Sequence, residues 1–208
     1  MKRRTGGIGF TLIELLVVIA IISMLMGIIM VSVSSARQKA RDSKRVADLK
    51  TIQLALSLYY NDNGMYPKNI YAPAGAAPDS GLSPTYLPVV PRDPKATGTG
   101  AECATSAANA AANIGCYRYN AYTTAGSGLC NTTNLPILYH LGAAFEDTTN
   151  TALATQDVDA SANLSVPYGA TYLSCSNGLS PTANFDGTAP SCVGTTAVTE
   201  TNCYDLTP

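Results

Sequence analysis

Glu14 is the one ionisable side chain in an apolar run from Phe10 to Val31, FTLIELLVVIAIISMLMGIIMV. A carboxylate at the centre of a bilayer costs roughly 2.5–3.5 kcal/mol on insertion scales, so a plain anchor gains nothing from it. Its chemistry is that of a counter-ion. A cut after Gly9 would leave a charged amine on Phe10, four residues before Glu14, in need of a partner within hydrocarbon. Glu14 can supply that partner, on its own chain or on a neighbour's. Residues 15–31 span about 25 Å at 1.5 Å per residue, enough to cross a bilayer with help from the flanks. A cleaved secretory signal would have a shorter apolar core and a small-x-small cleavage site. Ser34-Ser35-Ala36 mimics such a site, but the core ahead of it is too long.

Other reactive side chains point away from catalysis. There is no Gly-x-Ser-x-Gly elbow and no His-Glu-x-x-His pair, and the single histidine, His140, falls in a strand-like stretch where a packed or edge role fits better than a base. No enzyme is expected. Asp157, Asp159, Ser161 and Asn163 place oxygens at alternate positions, as a calcium loop begins, but the turn glycine and the distal bidentate glutamate are missing. A solvated turn is the better reading, and no cofactor is expected. Six cysteines, Cys103, Cys116, Cys130, Cys175, Cys192 and Cys203, all follow the apolar run, without a Cys-x-x-Cys pair. Outside the cytoplasm an even count reads as disulfides, with 15 possible connectivities for six cysteines. Local loops and a clasp for the C-terminus favour Cys103 with Cys116, Cys175 with Cys192, and Cys130 with Cys203. Asn131-Thr132-Thr133 and Asn163-Leu164-Ser165 fit glycosylation sequons, with ordinary loop chemistry as the default.

Charge is unevenly distributed behind a net value of −1. Lys2, Arg3 and Arg4 precede the apolar run and hold the N-terminus in the cytoplasm by the positive-inside rule. Arg37, Lys39, Arg41, Lys44, Arg45 and Lys50 follow it against only Asp42 and Asp48, whereas beyond Asn61 four basic residues face eleven acidic ones. The basic cluster is placed to meet anionic headgroups, at about 1 kcal/mol per residue near the surface, or the acidic groups of neighbouring copies. No specific nucleic acid is expected.

These residues need a long helix to position them. One helix is expected from about Phe10 to Tyr60, some 75 Å by the standard rise, stopped by Asn61-Asp62-Asn63-Gly64. Leu49, Ile52, Leu56 and Tyr59 recur at spacings of three and four and mark a buried face. Leu54, Ala55 and Leu58 widen that stripe, and Arg41, Asp42, Lys44 and Arg45 lie mostly away from it. Gly27 is the weak point of the helix interior. An Ala-, Pro- and Gly-rich loop through Ser83 crosses over the helix. Strands are expected at 116–122 (CYRYNAY), with Tyr117, Tyr119 and Ala121 on one face, at 135–141 (LPILYHL), and more weakly at 168–175. Residues 148–208, rich in Thr, Ala, Ser and Asn, form a C-terminal extension. No internal repeat is evident.

The basic leader, Gly9, Phe10-Thr11-Leu12-Ile13-Glu14 and the apolar helix resemble the type IV pilins and type II secretion pseudopilins, specifically over residues 9–22. A second stretch resembles the major pseudopilin and its pilin relatives over residues 48–94, through Tyr66-Pro67, Tyr86-Leu87-Pro88 and Pro91-Arg92-Asp93-Pro94. The resemblance implies an α+β pilin fold, in which a long N-terminal helix packs by its second half on a small antiparallel sheet with a disulfide-clasped extension. It implies a leader at 1–9, a membrane and filament-core helix at 10–34, an amphipathic half at 35–62, a globular core at 63–147 and the extension at 148–208. It further implies cleavage after Gly9 by a prepilin peptidase, methylation of the Phe10 amine, and polymerisation with copies of itself on an inner-membrane assembly platform, alongside minor pilins. The precursor would cross the inner membrane once with its N-terminus in the cytoplasm. The first expectation is a subunit of an extracellular type IV pilus for adhesion, twitching motility or DNA uptake. The alternative is a periplasmic pseudopilin of type II secretion, and a third, of another class, is a membrane-tethered binding module that never polymerises.

Overall fold

A computed structural model of the chain describes residues 10–75, 79–97, 103, 115–123, 130, 134–152, 173–175 and 203–208, with the backbone alone at 28–31 and 173–174. The chain divides into two units, Met1–Ala40 and Arg41–Pro208. A single helix, α1, runs Leu12–Asn63 without a break, passing through Gly27 and ending three residues later than the sequence suggests. The extra turn is supported by side chains: Asn63 Nδ2 donates to the Tyr59 carbonyl at 2.9 Å. Gly64 then takes a φ of 67° and its N–H bonds the Tyr60 carbonyl at 2.8 Å, closing the helix in a conformation that favours glycine.

In the first unit every large apolar side chain described from Phe10 to Met26 is exposed, Leu12 at 83% and Met24 at 76%. This part of α1 holds an 18-residue window of mean hydropathy 2.9, long and apolar enough to cross a membrane.

The second unit is built on the other end of the helix. Leu49, Ile52, Leu56 and Tyr59 are 0–1% exposed, as their spacing predicts. Leu54 and Leu58 do not widen the stripe: they are 64% and 49% exposed, because they fall on the opposite side of the helix, and only Ala55 joins the core. Four strands form an antiparallel sheet in the order β3-β1-β2-β4, with β1 Arg118–Thr123, β2 Leu138–Ala144, β3 Leu173–Ser174 and β4 Cys203–Leu206. The register sets Tyr119 opposite Leu141, Ala121 opposite Tyr139, and Ala143 opposite Tyr204, so one face presents these side chains to the helix. Phe145 stacks on Tyr204 with ring centroids 5.2 Å apart.

β2 begins and ends three residues later than the 135–141 stretch suggests. Pro136 cannot donate to a ladder, and the strand instead gains Gly142-Ala143-Ala144 at its other end, where Ala143 lies opposite Tyr204 and faces the core. β4 has no clear signal in the sequence and comes from the 148–208 segment expected to be an extension; its Tyr204 is wholly buried in the core. Loop residues close the helix's flank: Ile70 and Leu82 are fully buried, and Tyr119 Oη donates to the Pro67 carbonyl at 2.7 Å.

The disulfide pairing is partly corrected. Cys103–Cys116 is present as expected. Cys130 is joined to Cys175 rather than to Cys203, and Cys175 is therefore not paired with Cys192. The reason lies in the sheet: Cys175 N–H bonds the Ala121 carbonyl at 2.8 Å, so β3 lies alongside β1 and brings Cys175 to Cys130, a relation that loop lengths do not reveal. Cys203 is disulfide-bonded as well.

Candidate assembly site

The helix start is organised by two residues. Thr11 precedes the first helical residue, and its backbone N–H and its hydroxyl both donate to Glu14 Oε2, at 2.9 and 2.7 Å. The Glu14 N–H returns a bond to Thr11 Oγ1 at 3.3 Å. This is a capping box, in which a threonine and a glutamate three residues on satisfy each other's free backbone donors. The Thr-x-x-Glu spacing carries that signal in the sequence, beside the counter-ion chemistry of Glu14. Among the described residues Oε1 of Glu14 accepts no hydrogen bond, so the carboxylate is fixed by one oxygen and presents the other. Gly9 lies outside the described residues.

The basic stretch after the apolar run is organised differently from what its sequence suggests. Asp42 and Arg45 are not off the buried face but 0% and 2% exposed. Arg41 binds Glu146 through two parallel bonds, Nε to Oε1 at 2.6 Å and Nη2 to Oε2 at 2.7 Å. Arg45 binds Asp93 in the same way at 2.6 and 3.0 Å, and its Nη1 also reaches Asp42 at 2.5 Å and Glu146 at 3.0 Å. Asp42 in turn accepts the backbone N–H groups of Glu146 and Asp147 at 3.0 and 2.9 Å. The bonds from Arg41, then those from Arg45, hold the Glu146 carboxyl down at about 2. These arginines are therefore engaged within their own chain rather than left for headgroups or neighbours. The sequence hides this because the carboxylates lie 48 and 101–105 residues away.

A cleft of about 340 Å³ opens beside the cluster, between the loop at Asp93 and the end of β2. Gly115 lies on its wall with φ 76°, and its carbonyl accepts the Asp93 N–H at 2.9 Å; a Cβ there would stand 2.1 Å from that of Ala96. His140 lies in β2, hydrogen-bonded through Nε2 to Asp205 of β4, both buried. Residues 157–163, with the calcium-like oxygens, and both sequons lie outside the described residues. Among the described residues no group of three or more His, Cys, Asp or Glu side chains is arranged to hold a metal.

Residues 8–30 match the prokaryotic N-terminal methylation motif. The chain is 33% identical over 102 residues to the type II secretion system core protein G of Pseudomonas aeruginosa, a match covering 45% of this chain and 71% of that protein. The chain belongs to the type IV pilin and pseudopilin family. Core protein G of Aeromonas hydrophila is similarly close, 33% identical over 101 residues that cover 45% of this chain and 69% of that relative. The core protein G of Vibrio cholerae is 29% identical with the same coverage. No solved structure matches the chain significantly.

As a member of this family the chain is a structural subunit and not an enzyme, made as a precursor anchored in the inner membrane by its apolar helix and later assembled beyond it. Of the two filament roles expected from the sequence, these relatives favour the secretion pseudopilin over the pilus subunit.

Proposed function

We propose that the chain is a pseudopilin of a type II secretion system, polymerising through its N-terminal helix into a short periplasmic filament that pushes folded cargo outward. What supports this reading is the similarity to core protein G over more than two thirds of that protein's length. A prepilin peptidase cuts after Gly9, the Phe10 amine is methylated, and an inner-membrane platform with minor pseudopilins receives the subunit. The exposed apolar side chains of residues 10–26 are covered first by lipid and then by the helices of other copies.

Glu14 sets the register of that exchange. The capping box holds Oε2 on Thr11 and leaves Oε1 for the methylated amine of an incoming copy. A charged amine and a charged carboxylate each carry a large desolvation cost in hydrocarbon, and pairing offsets much of it. Peptide mass spectrometry of the mature protein, together with fractionation of sheared cells, tests the proposal. A methylated Phe10 N-terminus with the filament retained in the envelope is the expected result. Abundant recovery in filaments sheared from the surface would instead make it a pilus subunit, and an uncut leader would overturn both.

A further inference from the structure

The charged cluster at the start of the second unit stands apart from the apolar core. The buried helix positions that face the sheet begin at Leu49, with Val46 partly buried ahead of them, whereas Arg41, Asp42 and Arg45 lie on the preceding turns. The cluster joins those turns to two loops, at Asp93 and at Glu146, which also form the walls of the cleft. Neither loop needs to strand a buried charge in order to leave. The outer members are within reach of water, with side chains 31% (Arg41), 15% (Glu146) and 19% (Asp93) exposed. The inner pair, Arg45 and Asp42, is 3% and 0% exposed, but both belong to the helix, three residues apart, and remain paired when the loops depart.

We propose that this cluster is a releasable clamp, which fixes the loops at 93–95 and 146–147 to α1 and can open while the apolar core and the disulfides stay in place. Opening moves both walls of the cleft and bares Arg41 and Arg45 for a carboxylate of another molecule, which gives a subunit a second arrangement of these loops without unfolding. Lys95, whose Nζ is 3.6 Å from Glu146 Oε2, and Lys44, bonded to Asp48 at 3.0 Å, flank the clamp without closing it.

Hydrogen exchange followed by mass spectrometry on the full chain in detergent tests this with the Glu146→Gln and Arg41→Met variants. Arg41→Met leaves Glu146 with Arg45 and Lys95, so it loosens the clamp without leaving that carboxylate unpaired. In both variants amides of residues 93–97 and 146–152 are expected to exchange faster, by about tenfold in Glu146→Gln, with those of 118–123 and 138–144 unchanged. Unaltered exchange in the two loops would overturn the clamp. So would an equal rise across the sheet, or failure of Glu146→Gln to fold with its disulfides formed, since each would show that cluster and core act as one.

Discussion

Glu14 serves two ends with two oxygens, one completing the helix start and one proposed for assembly. Glu14→Ala is expected to be cleaved and inserted normally but to form no filaments. Removing one member of a buried pair typically costs 3–5 kcal/mol, at about the scale that halts polymerisation. Normal filament yield from that variant would end the pairing mechanism. Thr11→Val removes only the hydroxyl, a capping loss of about 0.5–2 kcal/mol, so amide exchange in the first helical turn should rise while filaments are reduced rather than abolished. Farther along, Glu146 carries the pH dependence. Its folded value, about 2, lies below the ordinary 4.5, so its contribution to stability is fully present above about 4.5 and is lost as pH falls toward 2. Denaturation midpoints measured down that range should fall for the natural chain and change less for Glu146→Gln.

α1 was the most legible element, because its side chains announce it: an apolar run without proline, then spacings of three and four from Leu49 to Tyr59. Leu54 and Leu58 were wrongly added to that stripe: each lies two residues from Leu56, which on a helix turns the side chain to the opposite side. Leu56→Ala is therefore expected to cost about 2–5 kcal/mol and Leu58→Ala within about 0.5 kcal/mol, a contrast that urea denaturation resolves directly. A Cβ at Gly27 would meet nothing within 4 Å in the described chain. Gly27→Ala should stabilise the subunit's helix by about 1 kcal/mol, read by thermal melting in detergent. If local melting near Gly27 accompanies polymerisation, the same variant should assemble more slowly. Among the strands, β1 followed from the alternation of Tyr117, Tyr119 and Ala121, whereas β4, four residues long, gives no such pattern; its place depends on pairing with a strand about sixty residues earlier. The ion cluster was illegible for the same reason, its members being joined only by the completed fold.

Across the whole chain the sequence located the anchor and the processing signal, and it paired Cys103 with Cys116 but not Cys130 with Cys175. Non-reducing peptide mapping should recover Cys103–Cys116 and Cys130–Cys175, and a Cys130 to Cys203 fragment would contradict the sheet order as well as the pairing. Because β2 is bordered on one side by β1 and on the other by β4, its second border is supplied late in synthesis. Cys203 follows Ala144 by 59 residues, and a ribosome adding 5–20 residues per second needs roughly 3–12 s to add them. Throughout that interval the backbone donors and acceptors of β2 on that side await their partner, and an open edge of this kind is a template for another chain. The chain is therefore open to edge pairing after the β1–β2 hairpin is made and before β4 arrives. A chaperone that shields extended edges in the periplasm has a defined moment at which to act.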